Sequence, residues 1–181
     1  MKIFESKLKG CLILEPQIYQ DERGMFFEVF RKNELEFFLG YNIDFVQENT
    51  SISKKGVLRG LHYQKELGAQ AKLVSVQRGE VIDVVVDLRP SSETFGQHIK
   101  VNLSDQNRKS LFIPKGMAHG FVTLSNEVIF TYLCDSYYDP ELESGILYSD
   151  PDLRIDWSYP ISKLIVSEKD MLLPSFKDFE K

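Results

Sequence analysis

A guanidinium, an imidazole and an ammonium fall close together in Gly56-Val57-Leu58-Arg59-Gly60-Leu61-His62-Tyr63-Gln64 and Ala69-Gln70-Ala71-Lys72-Leu73-Val74. An imidazole, with a reference pKa of about 6.5, can take up a proton at neutral pH. A guanidinium suits bidentate contact with a phosphate, and an ammonium stabilises a developing anion. Each residue alone has a plainer reading, as a satisfied core histidine or as solvated charge on a strand. Their clustering weighs against that reading. Strict alternation would send Arg59 and His62 to opposite faces of a strand, because their spacing is odd. Gly60 between them could support a bulge that turns both toward one cavity. Asp83 interrupts the apolar run Val81-Ile82-Asp83-Val84-Val85-Val86, and if it points inward it must be paired, with His62 and His119 both open as partners. Asp170 closes Ser167-Glu168-Lys169-Asp170, a capping-box pattern that needs no catalysis to explain it. Tyr132, in Ile129-Phe130-Thr131-Tyr132-Leu133, could simply be a packed aromatic with a bonded hydroxyl.

The elements that must carry these groups are mostly short strands. Val81–Val86 is β-branched and follows the turn Arg78-Gly79-Glu80. Further strands are expected over Lys72–Gln77, Ile99–Leu103, Leu111–Ile113, Gly120–Leu124 and Val128–Leu133, with a turn at Asp105-Gln106-Asn107. Phe45, Gln47, Asn49 and Ser51 share one strand face by period two, so Gln47 and Asn49 can bond polar edges of a ligand together. Helices are expected only on the flanks. Asn33 is a candidate cap for a helix carrying Leu35, Phe38 and Leu39 and ending at Gly40, and a second short helix starts near Ser167. So many short strands predict an all-β sandwich or barrel, in the form of an eight-stranded double-sheet jelly roll with short peripheral helices.

The chain has 181 residues, 43% hydrophobic and 27% charged, with a net charge of −5, the balance of one ordinary domain spanning residues 1–181. Acidic and basic residues are interspersed, so neither nucleic acid nor a membrane surface is an expected partner. The N-terminus lacks the apolar or Arg-rich pattern of a targeting segment, and Cys11 and Cys134 show no disulfide or zinc spacing. A cytoplasmic protein is expected.

Pro114-Lys115-Gly116-Met117-Ala118-His119 resembles the second conserved motif of cupins, whose metal-binding members add a His-x-His and a glutamate. Here the first half reads His62-Tyr63-Gln64, so the barrel is expected to hold neither a metal nor an organic cofactor. Over nearly its whole length the chain is similar to the dTDP-4-dehydrorhamnose 3,5-epimerase family. The matching segments include Asp21–Glu28, Gln47–Ser51, Gly56–Gln64, Gln70–Val74, Asp83–Arg89, Phe112–Phe121, Tyr137–Pro140 and Ser167–Asp170. The resemblance implies a jelly roll that inverts C3 and C5 of dTDP-4-dehydro-6-deoxy-D-glucose. The C–H bonds beside the C4 ketone are acidic, and inversion takes a base on one face, enolate stabilisation, and an acid on the other face. It implies His62 as base, Tyr132 as acid, Lys72 beside the enolate oxygen and Asp170 as the carboxylate orienting His62, with Asp83 competing for that last task. It also implies that Arg23, Phe26 and Glu28 help hold the nucleotide, partly from a neighbouring subunit of a homodimer. Arg59 suits the phosphates, Tyr138 matches the stacking aromatic, and His119, Glu143 and Lys169 match further binding positions. Two rivals remain: inversion at a single carbon of a related 4-keto sugar nucleotide, and a cupin that only binds such a ligand.

Overall fold

The computed structural model describes residues 1–179. Two antiparallel sheets face each other. The first has six strands: β1 (Lys2–Glu5), β2 (Leu12–Glu15), β10 (Ser110–Ile113), β7 (Lys72–Arg78), β12 (Glu127–Cys134) and β5 (Gln47–Lys54), in that spatial order. The second has five: β13 (Glu143–Gly145), β6 (Leu58–Gln64), β11 (Met117–Thr123), β8 (Glu80–Asp87) and β9 (His98–Ser104). A separate hairpin pairs β3 (Ile18–Asp21) with β4 (Gly24–Phe27). This is a cupin-type jelly roll, with more strands than the eight expected. The additional strands are three- and four-residue pieces at the two ends of the chain, too short to show periodicity by themselves.

Alternation sorts the side chains. Val74 and Val76 of β7, Val81 and Val85 of β8, Met117 and Phe121 of β11, and Val128 and Phe130 of β12 point between the sheets and form one apolar cluster. Each such side chain contributes roughly 1.5–3 kcal/mol over its exposed state. The outer face of the five-stranded sheet, with Leu58, Leu61, Val84 and Val86, is covered by the C-terminal segment through Ile146, Leu153 and Trp157. Outside the six-stranded sheet, α1 (Lys32–Leu39) docks Leu35 against Leu12, Leu14 and Leu73.

Helix α1 ends as expected, with Gly40 at φ 74° and its N–H on the Glu36 carbonyl. Its start differs. Arg31 occupies the cap without a side-chain capping bond, and its carbonyl accepts from Leu35 N, so Asn33 lies inside the first turn and caps nothing. Leu35 is buried while Phe38 is half exposed, because the stripe facing the sheet is centred on Leu35 and Leu39. Two four-residue helices, α2 (Glu168–Met171) and α3 (Phe176–Phe179), follow near the C-terminus.

Candidate active site

The bulge foreseen at Gly60 is present. On β11, His119 pairs with His62 and Phe121 with Arg59, so the step from Arg59 to His62 spans three residues on β6 and two on its partner. Gly60 has φ +126°, and a Cβ there would lie 2.5 Å from Gly120 Cα and 2.8 Å from the His119 carbonyl oxygen, so only glycine fits. Leu58 and Leu61 both turn outward, and Arg59 and His62 both turn into the space between the sheets.

That space has two lobes, of about 520 and 370 Å³, and His62, Lys72 and Tyr132 line both. Arg59, His119 and Asp170 belong to the first lobe. Gln47, Asn49, Tyr138, Glu143 and Lys169 belong to the second. The two walls differ chemically. His62, His119 and Arg59 come from the five-stranded sheet, whereas Lys72 and Tyr132 come from β7 and β12 of the six-stranded one.

Asp170 is the partner of His62. Its Oδ1 lies 2.8 Å from His62 Nε2, and its Oδ2 accepts the Gly60 N–H at 3.1 Å, so one carboxylate holds both the ring and the bulge. Ser167 caps α2 by accepting from Asp170 N at 3.1 Å. The reciprocal bond of a capping box is not made, because the carboxylate is turned toward β6 instead. Burial pushes the Asp170 carboxyl up, but bonds and charge from His62, with Gly60 N–H and the Ser167 hydroxyl, outweigh it and leave the group below its ordinary value. Asp83 serves the other histidine, with Oδ2 2.8 Å from His119 Nε2. It is fully buried, and burial raises it above the ordinary carboxylate range, against the opposing pull of His119 and Lys72.

Burial lowers the Lys72 ammonium, while Cys134, Glu143 and Asp83 act in the other direction. Its Nζ sits 5.8 Å from the centre of the Tyr132 ring. Burial likewise raises the Tyr132 phenol, keeping it protonated. At the mouth of the second lobe, Glu143 Oε2 accepts from both the Tyr138 hydroxyl and Lys169 Nζ. Burial raises the Glu143 carboxyl, and these two bonds bring it below its ordinary value. Gln47 Oε1 accepts from Tyr138 N at 2.9 Å while its amide donates to Asn49 Oδ1 at 3.1 Å.

Arg23, Phe26 and Glu28 do not line either lobe. Arg23 and Phe26 lie on the β3–β4 hairpin, with Arg23 paired to Asp21 and Phe26 67% exposed, and Glu28 just beyond it faces Arg31. Three polar residues not singled out from sequence support the site. Gln64 Oε1 accepts from Asp139 N at 2.7 Å and Gln70 Nε2 donates to the Ser136 carbonyl at 2.8 Å, so both fix the loop carrying Tyr138. Ser53 accepts from Arg59 Nε at 3.2 Å. Ser53 continues the period-two face of Gln47, Asn49 and Ser51, which was the available signal. Among the described residues, no three His, Cys, Asp or Glu side chains gather so as to hold a metal ion.

Fold and site define a cupin-type jelly roll with a polar cavity equipped for acid–base chemistry between its sheets. A family model for dTDP-4-dehydrorhamnose 3,5-epimerase matches residues 5–178. The chain is 51% identical over 171 residues to the dTDP-4-dehydrorhamnose 3,5-epimerase of Methanothermobacter thermautotrophicus, covering 93% of this chain and 91% of the relative. Among solved structures, the enzyme of that name from Elizabethkingia anophelis superposes with a TM-score of 0.95 at 49% identity, covering 98% of this chain and 97% of the other. The dTDP-6-deoxy-D-glucose-3,5-epimerase of Legionella pneumophila, in complex with dTDP-4-keto-L-rhamnose, gives a TM-score of 0.92 at 48% identity, with coverage of 97% and 93%. The chain belongs to the dTDP-4-dehydrorhamnose 3,5-epimerase family.

Proposed function

We propose that the protein epimerises dTDP-4-dehydro-6-deoxy-D-glucose at C3 and C5, giving dTDP-4-dehydro-L-rhamnose. The observation that carries this reading is the pairing of His62 with Asp170 at 2.8 Å, on the wall of a cavity whose opposite sheet carries Tyr132 and Lys72. His62 removes the proton beside the ketone, and Asp170 holds the ring and stabilises the imidazolium. The Lys72 ammonium stabilises the enolate oxygen more than the ketone it came from, so it lowers the barrier instead of merely tightening binding. Tyr132, kept protonated by burial, delivers a proton from the other face. Base and acid on opposing sheets are what inversion requires, and a site that only bound its ligand would need neither.

Arg59 and His119 are assigned to the diphosphate and sugar, and Gln47, Asn49, Tyr138, Glu143 and Lys169 to the nucleoside end, where Tyr138 stacks on the base. Arg23, Phe26 and Glu28 are assigned to the cavity of a second copy in a homodimer, which accounts for their distance from the cavity of their own chain. No step calls for a metal or organic cofactor. The reading also takes residues 1–181 as one domain acting in the cytoplasm. Among the described residues, no helix is long and apolar enough to cross a membrane.

Incubation with the 4-keto sugar nucleotide in D2O, followed by NMR, tests the reaction. Deuterium should enter at both C3 and C5 with inversion, and His62→Ala should abolish both. Label at one carbon alone would make the protein a single-site epimerase, and no label would remove the enolate chemistry.

A further inference from the structure

Asp83 stands outside the reaction as described, yet it is the most deeply buried carboxylate facing the cavity residues. It interrupts the apolar β8 run and points between the sheets with Val81 and Val85. Its Oδ2 meets His119 Nε2 at 2.8 Å, and its Oδ1 has no hydrogen-bond partner among the described residues. A buried carboxylate with one unsatisfied oxygen costs stability, and an apolar residue of similar volume would serve packing better. We propose that Asp83 is a positioning residue for the reaction, keeping the Lys72 ammonium charged where the enolate forms and fixing the His119 ring through Nε2.

The charges around Lys72 support this. Lys72 makes no ion pair among the described residues, and its burial favours the neutral amine. Tyr132 and Cys134 face it from β12, Glu143 from β13, His62 from β6 and Asp83 from β8. Cys134 is a thiol raised by burial and carries no charge near neutrality. The charge of Glu143 is offset by the Lys169 ammonium bonded to it. Asp83 is paired to an imidazole instead of an ammonium, and although burial raises its carboxyl, His119 and Lys72 pull it back toward the ionised form that acts on Lys72. On its other side, among the described residues, Asp83 acts on the buried thiol of Cys11. Among the described residues, the Nε2 bond is the hydrogen bond that the His119 ring makes.

The inference rests on the proposed enolate chemistry, and one experiment separates the two. The pH dependence of kcat on the 4-keto sugar nucleotide is measured for the wild-type protein and for Asp83→Asn, with thermal unfolding of both. Lys72 is active when charged, so activity is present below its pKa and lost as pH rises through it. Removing the negative charge lowers that pKa, so the alkaline limb should move to lower pH by roughly one unit, the scale of a nearby charge. Burial moves the Tyr132 phenol up and the Lys72 ammonium down, so the two groups are pushed apart. If Asp83→Asn does not fold, Asp83→Thr, suited to the strand, serves the same comparison. A wild-type protein inactive on this substrate defeats the proposed function. An active wild type whose alkaline limb is unmoved in the variant, whatever its melting temperature, overturns the role of Asp83.

Discussion

His62 and Tyr132 reach the same cavity from different sheets, so their loss should have separable consequences. In Tyr132→Phe the base and Lys72 remain, and the proton donor on the far face is gone. Solvent deuterium should still enter the sugar with retained configuration, while net inversion falls by roughly 10²–10⁴-fold. The phenol has no hydrogen-bond partner among the described residues and its ring packs against the inner cluster. Stability should therefore change by less than ~1 kcal/mol, the net worth of one hydrogen bond. NMR of the recovered sugar and a urea titration check the two halves. Inversion at the wild-type rate would return Tyr132 to a packed aromatic.

Among the elements, β6 carries the most consequential irregularity. Its bulge turns an odd spacing into a shared direction for Arg59 and His62, and frees the Gly60 N–H for Asp170. Gly60→Ala would push a methyl into the Gly120 backbone at a φ that L-residues avoid. The expected cost is roughly 3 kcal/mol, from backbone strain together with overpacking. Because a displacement of about 1 Å at a catalytic group can lower the rate 10²-fold, activity should fall further than stability does. Chemical denaturation and a turnover assay at a temperature where the variant is folded distinguish the two losses. A variant with wild-type turnover would mean that the bulge does not position His62. The short helix α2 has a comparable double task, since its cap bond to Ser167 uses the backbone of Asp170 and leaves the carboxylate for β6.

At the scale of the whole molecule, the β3–β4 hairpin and β5 leave Phe26, Tyr19, Met25 and Ile52 at least half exposed, a surface suited to a second copy. If Arg23 serves the partner's cavity, Arg23→Ala and His62→Ala should each be inactive alone. Mixed under conditions that allow subunits to exchange, they should recover up to about a quarter of wild-type activity, because half the dimers then hold one intact site of two. No recovery, or a fully active monomer by sedimentation, would assign Arg23 to its own chain. Chelation with EDTA should leave turnover unchanged. Loss restored by a divalent ion would place a metal in the reaction.

The residues of this chain determine by themselves what periodicity and local chemistry carry: the strands β7 through β12, the αL end of α1 at Gly40, the inward face of Gln47 and Asn49, and the family motifs with the enzyme class they imply. Those signals extend over a few residues, and the backbone reads them locally. Three features were beyond them. The family motifs named Asp170 for His62 with Asp83 as a competitor, and only the packing decided between them, giving Asp170 to His62 from 108 residues away and Asp83 to His119. A capping-box pattern at Ser167 gave up half its bonds to reach β6. The hairpin carrying Arg23 and Phe26 stayed outside its own cavity. Each depends on which buried groups meet once both sheets have closed. A buried carboxylate is satisfied by whatever donor the packing brings within reach, and that choice belongs to the tertiary structure alone.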